Sequence, residues 1–483
     1  MRRQTDPYEM RWRRAKARRR RQVRRQMSVL CLTALIALLL AGGALHKQVR
    51  RQSMTASADE LVTVDGQQML SDADGTVTAD GTAGTGDSVS ADGQMTADGT
   101  VSADGQAGAD GSAAADGTAA AQMRVWQPEE VTHVFFHSLI YDTAKAFDGD
   151  AKENGYNQVM TTVSEFNEMI RQMYEKGYVM VSPHDICQVN ADGTVSRKTV
   201  SLPEGKIPFV LSQDDLSYYH YMDGDGFASK LVVTEDGKVR NAYVEDDGSV
   251  SIGAYDMVPL IDDFVEAHPD FAYNGHKGVI ALTGYEGVLG YRTDEVYKTR
   301  QADRLTVFQK VFLEANPDFD WDSEVAAAKQ VADAMKAEGW EFASHTWGHI
   351  DPRQMGYDAT CQDTSRWDSW VRPIVGDTDI LIFAFGADIG DWEPYTMDNP
   401  YFAMYKNDGF SIFCNVDGSQ PCWVQFGSDY MRQGRRNLDG YRMYYNPELL
   451  SDLFDVSTVW DSTRPSSVPP IGGEAAPETE ATT

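Results

Sequence analysis

The chain has 483 residues, a formal net charge of −30, and 42 % hydrophobic against 24 % charged residues. That length suits one large domain or two smaller ones, and the acidic balance argues against nucleic acid as the partner of the main body. The charge is unevenly placed: the first 25 residues are rich in arginine against only Asp6 and Glu9, so the remainder is more acidic still.

The basic stretch 1–26 precedes an uncharged apolar run at 27–45. A hydrocarbon core takes about 20 residues, and basic residues ahead of such a run put the N-terminus in the cytoplasm. The expectation is a signal-anchor with everything after it exported. The alternative is a cleaved signal peptide, with Ala41, Gly42 and Gly43 near the cut. The run exceeds the roughly 7–15 residues of an h-region, which favours the anchor. Residues 46–124 repeat Ala-Asp-Gly at 73–76, 79–82, 97–100 and 115–118. The period drifts and almost nothing apolar intervenes, so a flexible spacer is expected rather than a β-roll. Cys414 and Cys422 are candidates for a small disulfide loop, buried thiols being the alternative. None of the five cysteines has zinc-site spacing.

A catalytic domain is expected over 125–461. Residues 131–140, 178–181, 207–212, 278–283, 342–344 and 380–385 are apolar, β-prone runs that predict strands. Val163, Phe166, Ile170 and Met173 recur at helical spacing, and 258–267 and 325–337 also predict helices. Asp-Gly turn signals at 236–237 and 247–248 mark hairpins inside an insertion at about 221–300. The Pro-, Ser-, Glu- and Thr-rich stretch 462–483 predicts a disordered tail. Strands alternating with helices indicate an α/β fold with a parallel sheet, which builds sites at strand C-termini.

Two features stand at such ends. Asp214 and Asp215 follow the 207–212 strand, and His345 and His349 follow the 342–344 strand. Either alone has a bland reading, a solvated turn or a surface coincidence. Together they supply two imidazoles and a carboxylate, with open positions left for water and substrate. Histidines four apart share a face if their segment is helical. The second carboxylate is then available as a general base.

Ser212-Gln213-Asp214-Asp215 resembles the Thr-Phe-Asp-Asp motif of the polysaccharide deacetylases, the NodB homology family. The run from Ser344 to His349 is similar to that family's His-Ser/Thr-x-x-His motif, and 131–140, 281–293 and 380–390 resemble its Gram-positive members. The resemblance covers roughly residues 130 to 450. It implies a distorted (β/α) barrel and metal-dependent deacetylation of an N-acetylated polysaccharide. By position, Asp215, His345 and His349 would hold the metal, most simply Zn²⁺, with Co²⁺, Mn²⁺ or Ni²⁺ as alternatives. Asp214 would be the base. The chain departs from the pattern twice. Phe383-Ala384-Phe385-Gly386 stands where the family has Arg-x-Pro-Tyr/Phe-Gly, so Arg372, Arg435 and Arg436 become candidates to orient the base. No histidine follows His349, so the late general acid is missing. His137, in Phe-Phe-His-Ser-Leu, is similar to a Tyr-His motif of the branch that deacetylates poly-N-acetylglucosamine, and is the candidate acid. A core or capping histidine is the other reading of His137, and His184 is a further candidate.

Tyr218, Tyr219, Phe385, Gly386, Trp392, Arg436 and Asp439 are candidate substrate-binding residues, because they follow strands or flank the motifs. Trp347 reads as a packing residue. The expected partners are an acetylated glycan and, through one N-terminal helix, the membrane. An O-acetyl esterase and a degenerate glycan-binding domain are the rivals.

Overall fold

The computed structural model describes residues 122–471. The basic tail, the apolar run 27–45 and the repeats up to 121 lie outside the described residues. Among the described residues no helix is long and apolar enough to cross a membrane.

Eight parallel strands make the framework: β1 Thr132–Phe136, β2 Tyr178–Met180, β3 Ile207–Asp214, β4 Val279–Leu282, β5 Glu341–Ser344, β6 Ile380–Ile382, β7 Ile412–Val416 and β8 Met431–Asn437. Seven of them close a ring in the order β1, β3, β4, β5, β6, β7, β8 and back to β1. β2 sits outside that ring order. It pairs with β3 at Ile207 to Phe209, below the Ser212 to Asp214 stretch that pairs with β4. The chain is therefore a closed parallel barrel with helices around it, as expected from the strand–helix alternation.

Alternation along each strand sets what faces where. The inward residues grade from apolar to charged along the axis. Val210, Val279, Ile380, Ile412 and Met431 fill the N-terminal end. Above them His133 bridges Gln433 and Ser212 at 3.1 and 2.9 Å. Higher still, Asp214 meets Arg435. The outward residues Val134, Phe136, Leu211, Ile280 and Phe342 pack beneath helices α1 Val163–Glu175, α2 Met257–Ala267 and α3 Trp321–Ala337. α1 illustrates the local logic. Thr162 and Glu165 form a capping box, and Phe166, Met169, Ile170 and Met173 make one buried stripe. Each such buried side chain contributes about 1.5–3 kcal/mol. Gly177, at φ +90°, turns the chain into β2, and a Cβ there would meet the Gly205 carbonyl oxygen at 2.3 Å. Two further helices, α4 Tyr357–Trp370 and α5 Pro400–Asn407, flank β6.

Three boundaries differ from expectation. The strand Met123–Trp126 pairs with Val200–Pro203, so order reaches into the stretch assigned to the spacer. Trp126 and Leu202 then plug the N-terminal mouth. The 221–300 stretch adds a three-stranded antiparallel sheet, Lys230–Val233, Val239–Val244 and Val250–Gly253, but α2 and β4 belong to the barrel itself. From 462 to 471 the chain stays in the fold, and the rest of the expected tail lies outside the described residues. Arg464 is buried and bonds Glu165 through Nε and Nη2 at 2.6 and 2.7 Å, with the Asn157 and Met160 carbonyls alongside. Cys414 and Cys422 are unpaired.

Candidate metal centre

The ends of β3 and β5 are neighbours across β4, which brings the two sequence motifs together. Asp214 is the last residue of β3 and points inward. Asp215 follows at φ +59°, with its amide donating to the Ala281 carbonyl at 3.1 Å. That reversal carries its carboxylate over the mouth. His345 follows β5, and its Nδ1 donates to the Ile382 carbonyl at 2.8 Å. The hydrogen bond fixes the tautomer and leaves Nε2 with a free lone pair, the arrangement metal-ligating histidines use.

The 345–349 segment is a loop, not the helical turn that would put both imidazoles on one face. Thr346 and His349 lie at φ +63° and +52°. Two contacts pin this loop: both carboxylate oxygens of Asp363, on α4, accept from the Trp347 and Gly348 amides at 2.7 Å each. Trp347 packs as expected. A Cβ on Gly284 would strike its ring at 2.2 Å, and Arg366 stacks over it at 3.9 Å.

Asp215, His345 and His349 converge, with one donor atom from each lying within 4.8 Å of the others. His349 Nε2 is 3.4 Å and His345 Nε2 3.9 Å from Asp215 Oδ2. Burial, offset in part by Asp215, lowers the His349 pKa to about 4, so its ring is neutral at physiological pH. Two imidazoles and one carboxylate fit a divalent transition metal such as zinc. The other oxygen, Oδ1, accepts from the Tyr219 hydroxyl at 2.7 Å, and Tyr219 also meets Thr283 Oγ1 at 2.5 Å. Tyr219 thus orients the carboxylate.

Asp214 is adjacent but differently committed. Arg435, on β8, grips it in a bidentate pair, Nη1 to Oδ1 at 2.7 Å and Nη2 to Oδ2 at 2.8 Å. Both residues are buried. Burial opposes ionisation of Asp214, but the Arg435 guanidinium outweighs it and holds the carboxyl well below the usual range. Of the three arginines considered for this role, Arg372 bonds Asp368 and Asp408, and Arg436 faces outward to Asp452. His345 Nε2 lies 3.8 Å from Asp214 Oδ2.

His137 is half-buried at the turn after β1. Its Nδ1 donates to the Val159 carbonyl at 3.1 Å, which leaves Nε2 for other work. His184 lies at the opposite end of the barrel, against Glu341 and Asp379.

Several candidate substrate contacts prove to be structural. Tyr218 is buried, with its hydroxyl donating to Asp256 at 2.8 Å and accepting from Asn241 at 2.9 Å, so it presents nothing to a cleft. Tyr219 is buried against Asp215. Arg436 is spent on Asp452 and the Leu449 carbonyl. Asp439 caps the helix Gly440–Tyr445 and makes no pair with Arg436. Gly386 allows close approach, since a Cβ there would lie 2.5 Å from Val416 Cβ. Trp392 packs edge-on to Trp423 at 5.4 Å. Phe385, 44 % exposed, stands with its ring centroid 4.3 Å from that of His349 and borders the mouth.

No protein-family model matches the chain, and no curated protein matches it. Among solved structures, the Streptococcus pyogenes deacetylase PplD in complex with acetate matches at 12 % identity and TM-score 0.36, over 68 % of this chain and 99 % of that one.

Proposed function

We propose that this protein is a metal-dependent hydrolase that removes acetyl groups from an N-acetylated polysaccharide of the cell envelope. One observation carries the reading: a buried carboxylate held ionised by Arg435 lies beside a three-donor set at the C-terminal mouth of a parallel barrel. A structural ion pair needs no such neighbours, and a purely binding site needs no buried base.

Asp215, His345 and His349 would hold the metal, which supplies Lewis acidity toward the acetyl carbonyl and toward water. Asp214 accepts the proton of the attacking water. Arg435 keeps that carboxylate ionised and fixes both its oxygens, so the base is aimed before substrate arrives. His137 returns a proton to the leaving nitrogen. Phe385 offers apolar surface beside His349 to the acetyl methyl or a sugar face. The basic stretch 1–26 and the apolar run 27–45 support a location outside the cytoplasm, on a spacer.

The test is acetate release from N-acetylated chitooligosaccharides and peptidoglycan fragments, with bound metal measured on the same sample. Wild type releases acetate, and Asp214→Asn retains metal while losing turnover by about 10²–10⁴-fold, the range of a general base. Undiminished turnover in Asp214→Asn, or full metal content in His345→Ala, overturns the assignment.

A further inference from the structure

The ring has one thin seam. β5 and β6 share a single paired position, Ser344 with Leu381. Elsewhere in the ring, neighbours share two to five. Yet the orientation of His345 depends on this seam, because its Nδ1 reaches across it to the Ile382 carbonyl. Something other than the ladder must hold β5 against β6.

The N-terminal end of the seam supplies it. His184 lies between Glu341, the first residue of β5, and Asp379, the residue before β6. Its Nδ1 is 2.6 Å from Glu341 Oε2 and its Nε2 is 3.0 Å from Asp379 Oδ1. Carboxylates accept and do not donate, so both ring nitrogens carry protons and the ring is a cation. The ring is itself anchored: the His184 amide donates to Ser182 Oγ at 2.9 Å, and Ser182 Oγ in turn donates to Glu341. One more tie crosses the seam, Thr378 Oγ1 to the Phe342 carbonyl at 2.7 Å. No step of the proposed reaction uses His184.

We propose that His184 is a positioning residue for the metal ligand His345, a cationic clasp that closes the β5–β6 seam from the far end of the barrel. The proposal rests on the reading of His345 as a ligand. Without the charge, Glu341 and Asp379 face each other across the seam and repel. Among the described residues no other cation hydrogen-bonds both carboxylates, although Lys406 lies near enough to Asp379 to feel its charge. Lys198 donates to the His184 carbonyl, His276 pairs with Asp185 at 2.7 Å, and Lys406 bonds Ser411 Oγ and the Gly193 and Asp429 carbonyls. The Cys187 thiol, also near, is neutral because burial raises its pKa. Burial pulls the His184 pKa down, but the Asp379 and Glu341 hydrogen bonds carry it up to about 10. A raised histidine pKa means that the clasp is complete below the unfolded value of about 6.5 and is lost as pH rises through about 10.

The experiment uses the full chain in detergent, with His184→Gln and the charge-retaining His184→Arg. Zinc affinity is measured by chelator competition, and amide exchange is followed over 341–345 and 378–383. His184→Gln is expected to weaken zinc binding about tenfold, in the range seen for outer-shell partners, and to speed exchange in both segments. His184→Arg is expected to restore part of each. If His184→Gln fails to fold, Glu341→Gln opens the same clasp. Wild-type zinc affinity in folded His184→Gln, or a His184 ring that titrates near 6.5 by nuclear magnetic resonance, overturns the clasp. If wild type binds no zinc, the ligand reading fails and takes the positioning role with it. Unchanged exchange beside normal zinc binding overturns the clasp alone.

Discussion

Replacing Arg435 by methionine strands the Asp214 carboxylate, and this change tests the centre most severely. The pair is bidentate at 2.7 and 2.8 Å and buried on both sides. At an effective dielectric of about 20, opposite charges roughly 3 Å apart attract by about 5–6 kcal/mol. Desolvation takes back much of that gain. Removing only one partner leaves a buried charge uncompensated, which costs about 3–5 kcal/mol. In a domain of this size that lowers Tm by on the order of 5–10 °C. Asp214→Asn combined with Arg435→Met removes both charges, so the double variant should be more stable than the sum of the single losses allows. Urea unfolding of the four proteins gives the coupling directly. Activity should follow the same logic. With Arg435 gone, burial dominates Asp214 and its pKa rises. Acetate release then falls, and its acid limb moves to higher pH. An Arg435→Met protein as stable as wild type, or strict additivity in the double variant, would refute the reasoning.

Three other changes separate the supporting parts. Tyr219→Phe removes the hydroxyl that orients Asp215 and should weaken zinc binding about 10–100-fold in a chelator competition, with the fold intact; wild-type affinity would show that Tyr219 only packs. Ending the chain at residue 461 deletes Arg464 and leaves Glu165 buried without its guanidinium, so stability should fall by roughly 3–5 kcal/mol in urea unfolding. An unchanged midpoint would mean that the last segment is ornamental. His133 is held neutral, its pKa brought down to about 3 by burial and by Arg435. A depressed histidine pKa stabilises the fold above about 6.5 and loses that contribution as pH falls toward 3, at up to about 1.4 kcal/mol per unit. Asp256 and Asp363, both raised to about 6 by burial, act in the opposite sense over the same range. The comparison is therefore wild type against His133→Gln, whose stability should fall less steeply between pH 6 and 4. Parallel curves would show that His133 does not drive the acid loss.

What was legible in the sequence was local. The apolar run 207–212, the helical spacing of Val163, Phe166, Ile170 and Met173, and the placement of Asp214 and His345 after predicted strands each depend on a few neighbouring residues. β8 depends on distant ones and was not legible. Its sequence, Met-Arg-Gln-Gly-Arg-Arg-Asn, reads as solvated because charges avoid the interior unless paired. Arg432, Arg435 and Arg436 are nevertheless buried, with their partners Asp388, Asp214 and Asp452 contributed from elsewhere in the chain. Arg435, the partner of Asp214, is hidden in the sequence as a strand residue for this reason, although it stands among the candidate arginines. Tyr218 and Tyr219 divided for a related reason. Tyr218 sits at φ +47°, and the turn sends one ring into the core and the other to Asp215.

The same backbone feature explains why the candidate donors are readable in the sequence while their geometry is not. Asp215, Thr346, His349 and Phe385 all adopt positive φ, a region that non-glycine residues enter at a cost of about 1–2 kcal/mol each. A β-branched threonine and a histidine give no local signal for that conformation, and helical spacing is the natural first guess. Distant contacts hold them there: Asp363 on the Trp347 and Gly348 amides, the Ala281 carbonyl on the Asp215 amide, and Tyr219 on its carboxylate. Strain of this kind persists only where the surroundings over-determine it, and it gathers at sites whose side chains must converge. Six other non-glycine residues also adopt positive φ, Tyr218, Asn274, Glu286, Leu289, Arg300 and Asp391, so the strain marks this mouth of the barrel without being confined to it.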